Sequence, residues 1–213
     1  MAIKPILFNT EMVRAILDGR KTCTRRIAKG FIPDDALWGY TAFTPKGYIS
    51  CRGLYADGYG EKFYKLPYQP GDILYVRETW GEGYSEGTYI YKADDKLAEL
   101  STFEKTSRRL YHPSIHMPKE AARIWLKVTD VRVERLQDIT IEDVKNEGVT
   151  DDYKTYSQEY LEKLRSVANP KVFAELWNST IKKSDLDRYG WAANPWVWVI
   201  QFERCERPEE KRT

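Results

Sequence analysis

Apolar positions change their spacing several times along this chain, and each change marks an element. Ile3 to Phe8 is a short apolar run that predicts a buried strand. From Met12 the period lengthens. Met12, Val13, Ile16 and Leu17 form the stripe of a short helix, with Asn9 or Thr10 as its cap and Gly19 at the left-handed position that ends it. From about residue 30 to 69 the rhythm breaks, and the Gly-, Pro- and Tyr-rich composition predicts an insertion without regular structure. Pro70-Gly71-Asp72 is turn chemistry, and the β-prone run Ile73 to Val76 follows it at once. Thr88 to Lys92 predicts another strand, and residues 94–118, with mixed charges and two prolines, a second insertion.

The clearest alternation sets Ile124, Leu126 and Val128 against Trp125, Lys127 and Thr129. It then slips by one and continues with Val131 and Val133, which predicts a bulge or bend near Thr129-Asp130. Thr140 opens a short helix with Asp143 at the capping-box distance and Gly148 as its stop. Two further helices are expected. One covers about residues 157–167, with Tyr160, Leu161, Leu164 and Val167 on one side; the other opens at Pro170 and buries Val172, Phe173, Leu176 and Trp177. Trp196 to Phe202 is apolar on both faces, so this last strand is expected to be central. Strands separated by long excursions, with a bend in the longest, predict an α+β fold: a small mixed β-barrel with peripheral helices and two long insertions. One domain would cover 1–205, with a charged tail at 206–213.

Composition narrows the function classes. With 213 residues and 42% hydrophobic content the chain can bury a core, yet no stretch reaches the roughly 20 apolar residues of a membrane span. The apolar part of the N-terminus is too short for a signal peptide, and three scattered cysteines imply no disulfide framework. A cytoplasmic location without membrane partners is the expectation. Lys+Arg 34 against Asp+Glu 32 leaves a net charge of +2, which argues against coating nucleic acid by bulk electrostatics. A local basic pocket for one nucleotide or phosphate remains open. Nine aromatics from Trp38 to Tyr68 either pin down the first insertion or stack on bases.

The densest chemistry is Gly19-Arg20-Lys21-Thr22-Cys23-Thr24-Arg25-Arg26, directly after the first helix. His112 and His116 are four apart, but Pro113 and Pro118 bracket them and no cysteine pair accompanies them, so no metal or other cofactor is expected. Neither a Walker-type loop nor Gly-x-Gly-x-x-Gly occurs. What remains is a lysine, a threonine and a carboxylate. A lysine with a pKa lowered by burial or by cationic neighbours can take the proton of a threonine hydroxyl and make it a nucleophile. Lys21 and Thr24 fit those roles, and Glu147 or Glu78 is the candidate carboxylate. Against these stand ordinary readings: a charged strand, a surface charge at Glu147, and an ion pair between Arg77 and Glu78.

At these residues the chain resembles the ASCH domain family, which has a PUA-like β-barrel fold. The resemblance is carried by the helix with its Gly19–Arg26 run, by Pro70-Gly71-Asp72 before a strand, and by the Ile124–Leu136 strand leading into Thr140–Gly148. The blocks KPILFNTEMVRAILDGRKTCTRR, GDILYVRETW and NPWVWVIQFE are similar to ASCH proteins of bacteriophages and prophages. Within the family, the N4-acetylcytidine amidohydrolases share Gly-Arg-Lys-Thr-x-Thr-x-Arg, matched by Gly19, Arg20, Lys21, Thr22, Thr24 and Arg26. The resemblance implies Lys21, Thr24 and Glu147 as a catalytic set, with Arg26 holding the substrate or the oxyanion; Arg20, Arg25, Arg77 and Glu78 are further candidate substrate-binding residues. The implied partner is a nucleoside or modified nucleotide, with RNA as a further candidate. The implied reaction is removal of an acyl group from an N4-acylated cytidine. The alternatives are a non-catalytic reader of RNA or modified bases and an ASCH-type ribonuclease.

Overall fold

The computed structural model describes residues 1–30, 38–44, 47–55, 57–83, 85, 87–94, 111–149 and 168–209. The described strands form mixed sheets of five, three and two strands, accompanied by a few helices, an α+β arrangement. No closed barrel is detected among the described strands. Among the described residues, the strands of the first insertion pair with one another.

The chain divides into two compact units, Met1–Thr22 with Gly71–Val128 and Phe202–Thr213, and Cys23–Pro70 with Thr129–Gln201. In the first unit, strand β1 (Ile3–Leu7) runs parallel to β6 (Ile73–Arg77), and β6 pairs antiparallel with the start of β9 (Trp125–Arg135). β1 alternates between buried and open positions, with Ile3 and Leu7 exposed and Ile6 buried, so it is half-buried where the apolar run predicts full burial. The Pro70-Gly71-Asp72 turn locks this pairing: Asp72 accepts from the Ala2 amide at 2.9 Å and forms a 2.7 Å ion pair with Lys4. Helix α1 (Thr10–Leu17) is capped by Asn9, whose side chain accepts from the Met12 amide at 2.8 Å. Val13, Ala15 and Ile16 are its buried face, and Gly19 at φ +75° reverses the chain as expected. A short hairpin, β7 (Trp80–Glu82) with β8 (Tyr89–Tyr91), adds to a core of Ile73, Trp80, Met117, Ala121, Ala122 and Trp125. Met117 belongs to the expected second insertion, yet it is fully buried. Arg108 and Arg109 of that insertion lie outside the described residues.

In the second unit, residues expected to lack regular structure form an antiparallel sheet of β3 (Trp38–Thr44), β4 (Tyr48–Tyr55) and β5 (Gly58–Lys65). Tyr48, Leu54, Tyr59 and Phe63 stand at exposed positions of β4 and β5, which hides the period of two. A second ladder pairs β2 (Cys23–Ile27) with β10 (Trp196–Cys205). β10 is buried on both faces through Val197, Trp198, Val199 and Ile200, as its all-apolar run predicts. Helix α2 (Ile141–Asn146) carries the capping box of Thr140 and Asp143, and Gly148 at φ +81° stops it. Helix α3 (Ala168–Thr180) contributes Phe173 and Trp177 to a core with Leu136, Ile139, Val144, Val197 and Val199. Helix α4 (Leu186–Tyr189) closes a short turn after it. The helix expected at 157–167 lies outside the described residues. The alternation slip at Thr129-Asp130 falls inside the continuous strand β9, where the chain passes from one unit to the other.

Candidate functional site

The run after α1 begins on a rigid support. The Arg20 and Lys21 amides both donate to the Ala15 carbonyl, at 2.9 and 3.0 Å, so the helix end sets their position. Arg20 turns outward to a 2.8 Å ion pair with Asp18, both well exposed. Lys21 turns inward. It is 2% exposed, with Nζ 5.6 Å from the centre of the Phe8 ring. A cation over a ring face is favourable.

Lys21 lies in the first unit; Thr24, Arg25, Arg26 and Glu147 lie in the second. There, β2 alternates its side chains: Cys23 and Arg25 leave on one face, Thr24 and Arg26 on the other. Thr24 is 2% exposed and pairs in register with Ile200. Arg25 has a fully buried side chain, 0% exposed, and faces α2. Its Nη2 lies 2.6 Å from Glu134 Oε1 and 3.2 Å from Asp143 Oδ2, its Nε donates to Glu134 Oε1 at 3.2 Å, and its Nη1 reaches Glu147 Oε1 at 3.4 Å. Burial opposes the Arg25 charge, but Glu147 and Glu134 more than offset it and hold the guanidinium above its ordinary pKa. Glu147 is the C-cap of α2 and 6% exposed. Arg26 is pushed below the ordinary arginine value by burial, with Tyr68 and Glu147 opposing that shift.

The structure therefore brings Glu147 together with Arg25 and within electrostatic reach of Arg26. Strand geometry puts Thr24 on the Arg26 face, opposite to Arg25. Arg77 and Glu78 are held within the first unit. Arg77 donates to the Met117 carbonyl at 2.8 Å and to the Ile115 carbonyl. Glu78, 1% exposed, accepts both arms of a bidentate bond from Arg123 at 2.9 and 3.0 Å. Burial raises the Glu78 pKa, and Arg123 restrains the rise. His112 pairs with Trp80 through its backbone, and the two rings lie 5.2 Å apart. No group of three or more His, Cys, Asp or Glu able to hold a metal occurs among the described residues.

Four residues of these networks escaped the sequence reading. Glu134 and Asp143 pair with Arg25, Arg132 holds those two carboxylates, and Arg123 holds Glu78. Asp143 was visible as a capping residue, and its second role was not. Its pKa is held low: burial would raise it, but bonds from Thr140 and the charges of Arg25 and Arg132 prevail. The available signal was the charge alternation Asp130, Arg132, Glu134 on β9, which places three charged side chains on one strand face.

No protein-family model and no curated protein matches this chain. Among solved structures it is similar to the crystal structure of an ASCH domain from Lactobacillus crispatus JV V101. That match is 10% identical, covers 95% of this chain and 79% of the other, and has a TM-score of 0.37. Overlap at that level transfers neither fold nor chemistry, so the ASCH resemblance stands on the sequence blocks. No helix among the described residues is long and apolar enough to cross a membrane.

Proposed function

We propose that this chain is an ASCH-type protein of PUA-like fold, one domain over residues 1–205, that acts on a nucleoside, modified base or RNA. Its most concrete activity would be hydrolysis of an N4-acylated cytidine. Lys21 takes the proton of the Thr24 hydroxyl. The Thr24 oxygen attacks the amide carbonyl, and Arg26 holds the oxyanion that forms. As the carbon–nitrogen bond breaks, the lysine returns its proton to the leaving cytosine amine. Water, activated with Glu147, then cleaves the threonine ester and releases the carboxylic acid.

The observation that supports this reading is burial. Lys21, Thr24 and Glu147 are each nearly inaccessible. These three are the set that the ASCH resemblance implies. Such burial suits a small acyl substrate better than an open polymer groove. The test is release of acetate and cytidine from N4-acetylcytidine by the intact protein. Lys21→Ala and Thr24→Ala should each abolish turnover with the fold retained; full activity in Thr24→Ala removes Thr24 as nucleophile.

A second reading is a non-catalytic module for RNA or a modified base, favoured by Tyr59 (74% exposed) and Phe63 (58% exposed) on β5. Exposed rings offer stacking surfaces for bases. It predicts salt-dependent RNA binding that weakens with Lys21→Ala and ignores Thr24→Ala. An ASCH-type ribonuclease would instead cleave RNA with the same lysine.

A further inference from the structure

Within the second unit the charges around Glu147 form a graded network. Arg132 Nε donates to Glu134 Oε2 at 3.1 Å and its Nη2 to Asp143 Oδ1 at 3.3 Å. Arg25 takes the other oxygen of each of these carboxylates, then extends its remaining Nη1 to Glu147. Asp143 sits in the first turn of α2 and Glu147 at its C-cap. One guanidinium therefore grips both ends of the helix and ties them to β2 and, through Glu134, to β9. Cys23, on the same face of β2, points its thiol at the Asp143 carbonyl at 3.9 Å and adds a weaker contact.

A group that binds substrate needs an arm directed at it. Arg25 instead has a fully buried side chain with all three guanidinium nitrogens engaged by carboxylates. We propose that Arg25 is a positioning residue: it fixes the Glu147 carboxylate at the end of α2 and does not itself touch substrate. The catalytic part of this inference rests on the reading of Glu147 given above; the clamp itself does not. A planar fork is required, because a lysine ammonium at the same place is a point charge and cannot bridge three carboxylates at once. Arg132 and Glu134 complete the support by holding the fork in register.

Hydrolysis of N4-acetylcytidine should separate positioning from binding. In Arg25→Met, kcat falls by on the order of 100-fold, the cost of misplacing a reacting group by about 1 Å, while KM stays within about twofold. Arg25→Lys recovers part of the loss. In a Glu147→Gln background, Arg25→Met costs nothing further, because it acts through the carboxylate already removed. A loss carried mainly by KM, or losses that multiply in the double variant, would overturn the proposal. Should the wild-type protein fail to hydrolyse the substrate, the amidohydrolase reading falls, and the clamp is judged by amide exchange. The Glu147 and Gly148 amides, bonded to Asp143 and Lys145 carbonyls at 2.9 and 2.8 Å, should then exchange at least about tenfold faster in Arg25→Met. Unchanged exchange sinks it. Glu134→Gln, which loosens the fork without emptying the site, should move the same readouts in the same direction and serves if Arg25→Met does not fold.

Discussion

Arg123→Met asks what Glu78 is for. The substitution keeps an aliphatic stem and deletes the charge, leaving a carboxylate with 1% exposure and no bidentate donor. Breaking a buried ion pair from one side costs about 3–5 kcal/mol. The Arg123 side chain is 26% exposed, so water reaches one side of the pair and lowers that to about 2–3 kcal/mol. The guanidinium also lies 3.9 Å from the centre of the Tyr91 ring, worth about 0.5–1 kcal/mol. Its 2.7 Å contact with the exposed Asp94 adds less than about 1 kcal/mol. A total of about 3–4 kcal/mol should lower the melting temperature by roughly 6–16 °C in a chain of this size.

The sign of the pH dependence follows from Glu78. Its folded pKa lies above the ordinary carboxyl value, so its contribution is most favourable below the unfolded pKa and is lost as pH rises through the folded one. Without Arg123 the folded pKa rises further. The deficit of the variant should therefore be larger near about pH 7 than near about pH 5. Urea unfolding followed by tryptophan fluorescence measures it, with Glu78→Gln and the double variant completing the cycle. Glu78→Gln/Arg123→Met should be more stable than Arg123→Met alone, since a neutral amide replaces the stranded charge. A loss under about 1 kcal/mol, or a double variant no more stable than Arg123→Met, would refute this account and return Glu78 to the list of substrate-binding groups.

Further predictions follow from other elements. Thr140→Ala removes the capping box and should cost about 1 kcal/mol in urea unfolding. Asp143 is held at a lowered pKa, so its contribution is present above the unfolded carboxyl range and lost as pH falls through the folded value; Asp143→Asn should flatten the acid limb of the stability profile. Leu136→Ala empties a fully buried position beside Val144 and Val199 and should destabilise by about 2–5 kcal/mol in the same assay. Tyr59→Ala and Phe63→Ala, at exposed positions, should change stability by less than about 0.5 kcal/mol, while RNA affinity falls only if the binding-module reading holds.

Local pattern was sufficient wherever an element is specified by its own neighbours. Asn9 and Gly19 delimit α1, Thr140, Asp143 and Gly148 delimit α2, and the doubly apolar run at Trp196 marks a buried strand, because capping and burial period are short-range properties. The β3–β5 sheet escaped because each strand is stabilised by the one beside it. Tyr48 opposite Lys65 and Arg52 opposite Glu61 carry no signal until register brings them together. β1 is less buried than its pattern predicts for a related reason: a short, mostly apolar run does not reveal whether one face or both will be covered.

The candidate site divides along the same line. The sequence by itself marked out the candidate side chains and the turns and caps that present them: Lys21 follows a helix end, Thr24 lies on the strand after it, and Glu147 closes a helix. Only the tertiary structure decided which charges meet. Arg25 and Arg26 are neighbours in sequence, yet alternation sends them to opposite faces of β2. Arg25 is thereby drawn into a carboxylate network whose members lie more than a hundred residues away. Coulombic pairing depends on distance in space, and in the interior the cost of an unpaired charge makes that distance decisive. No spacing along the chain encodes it.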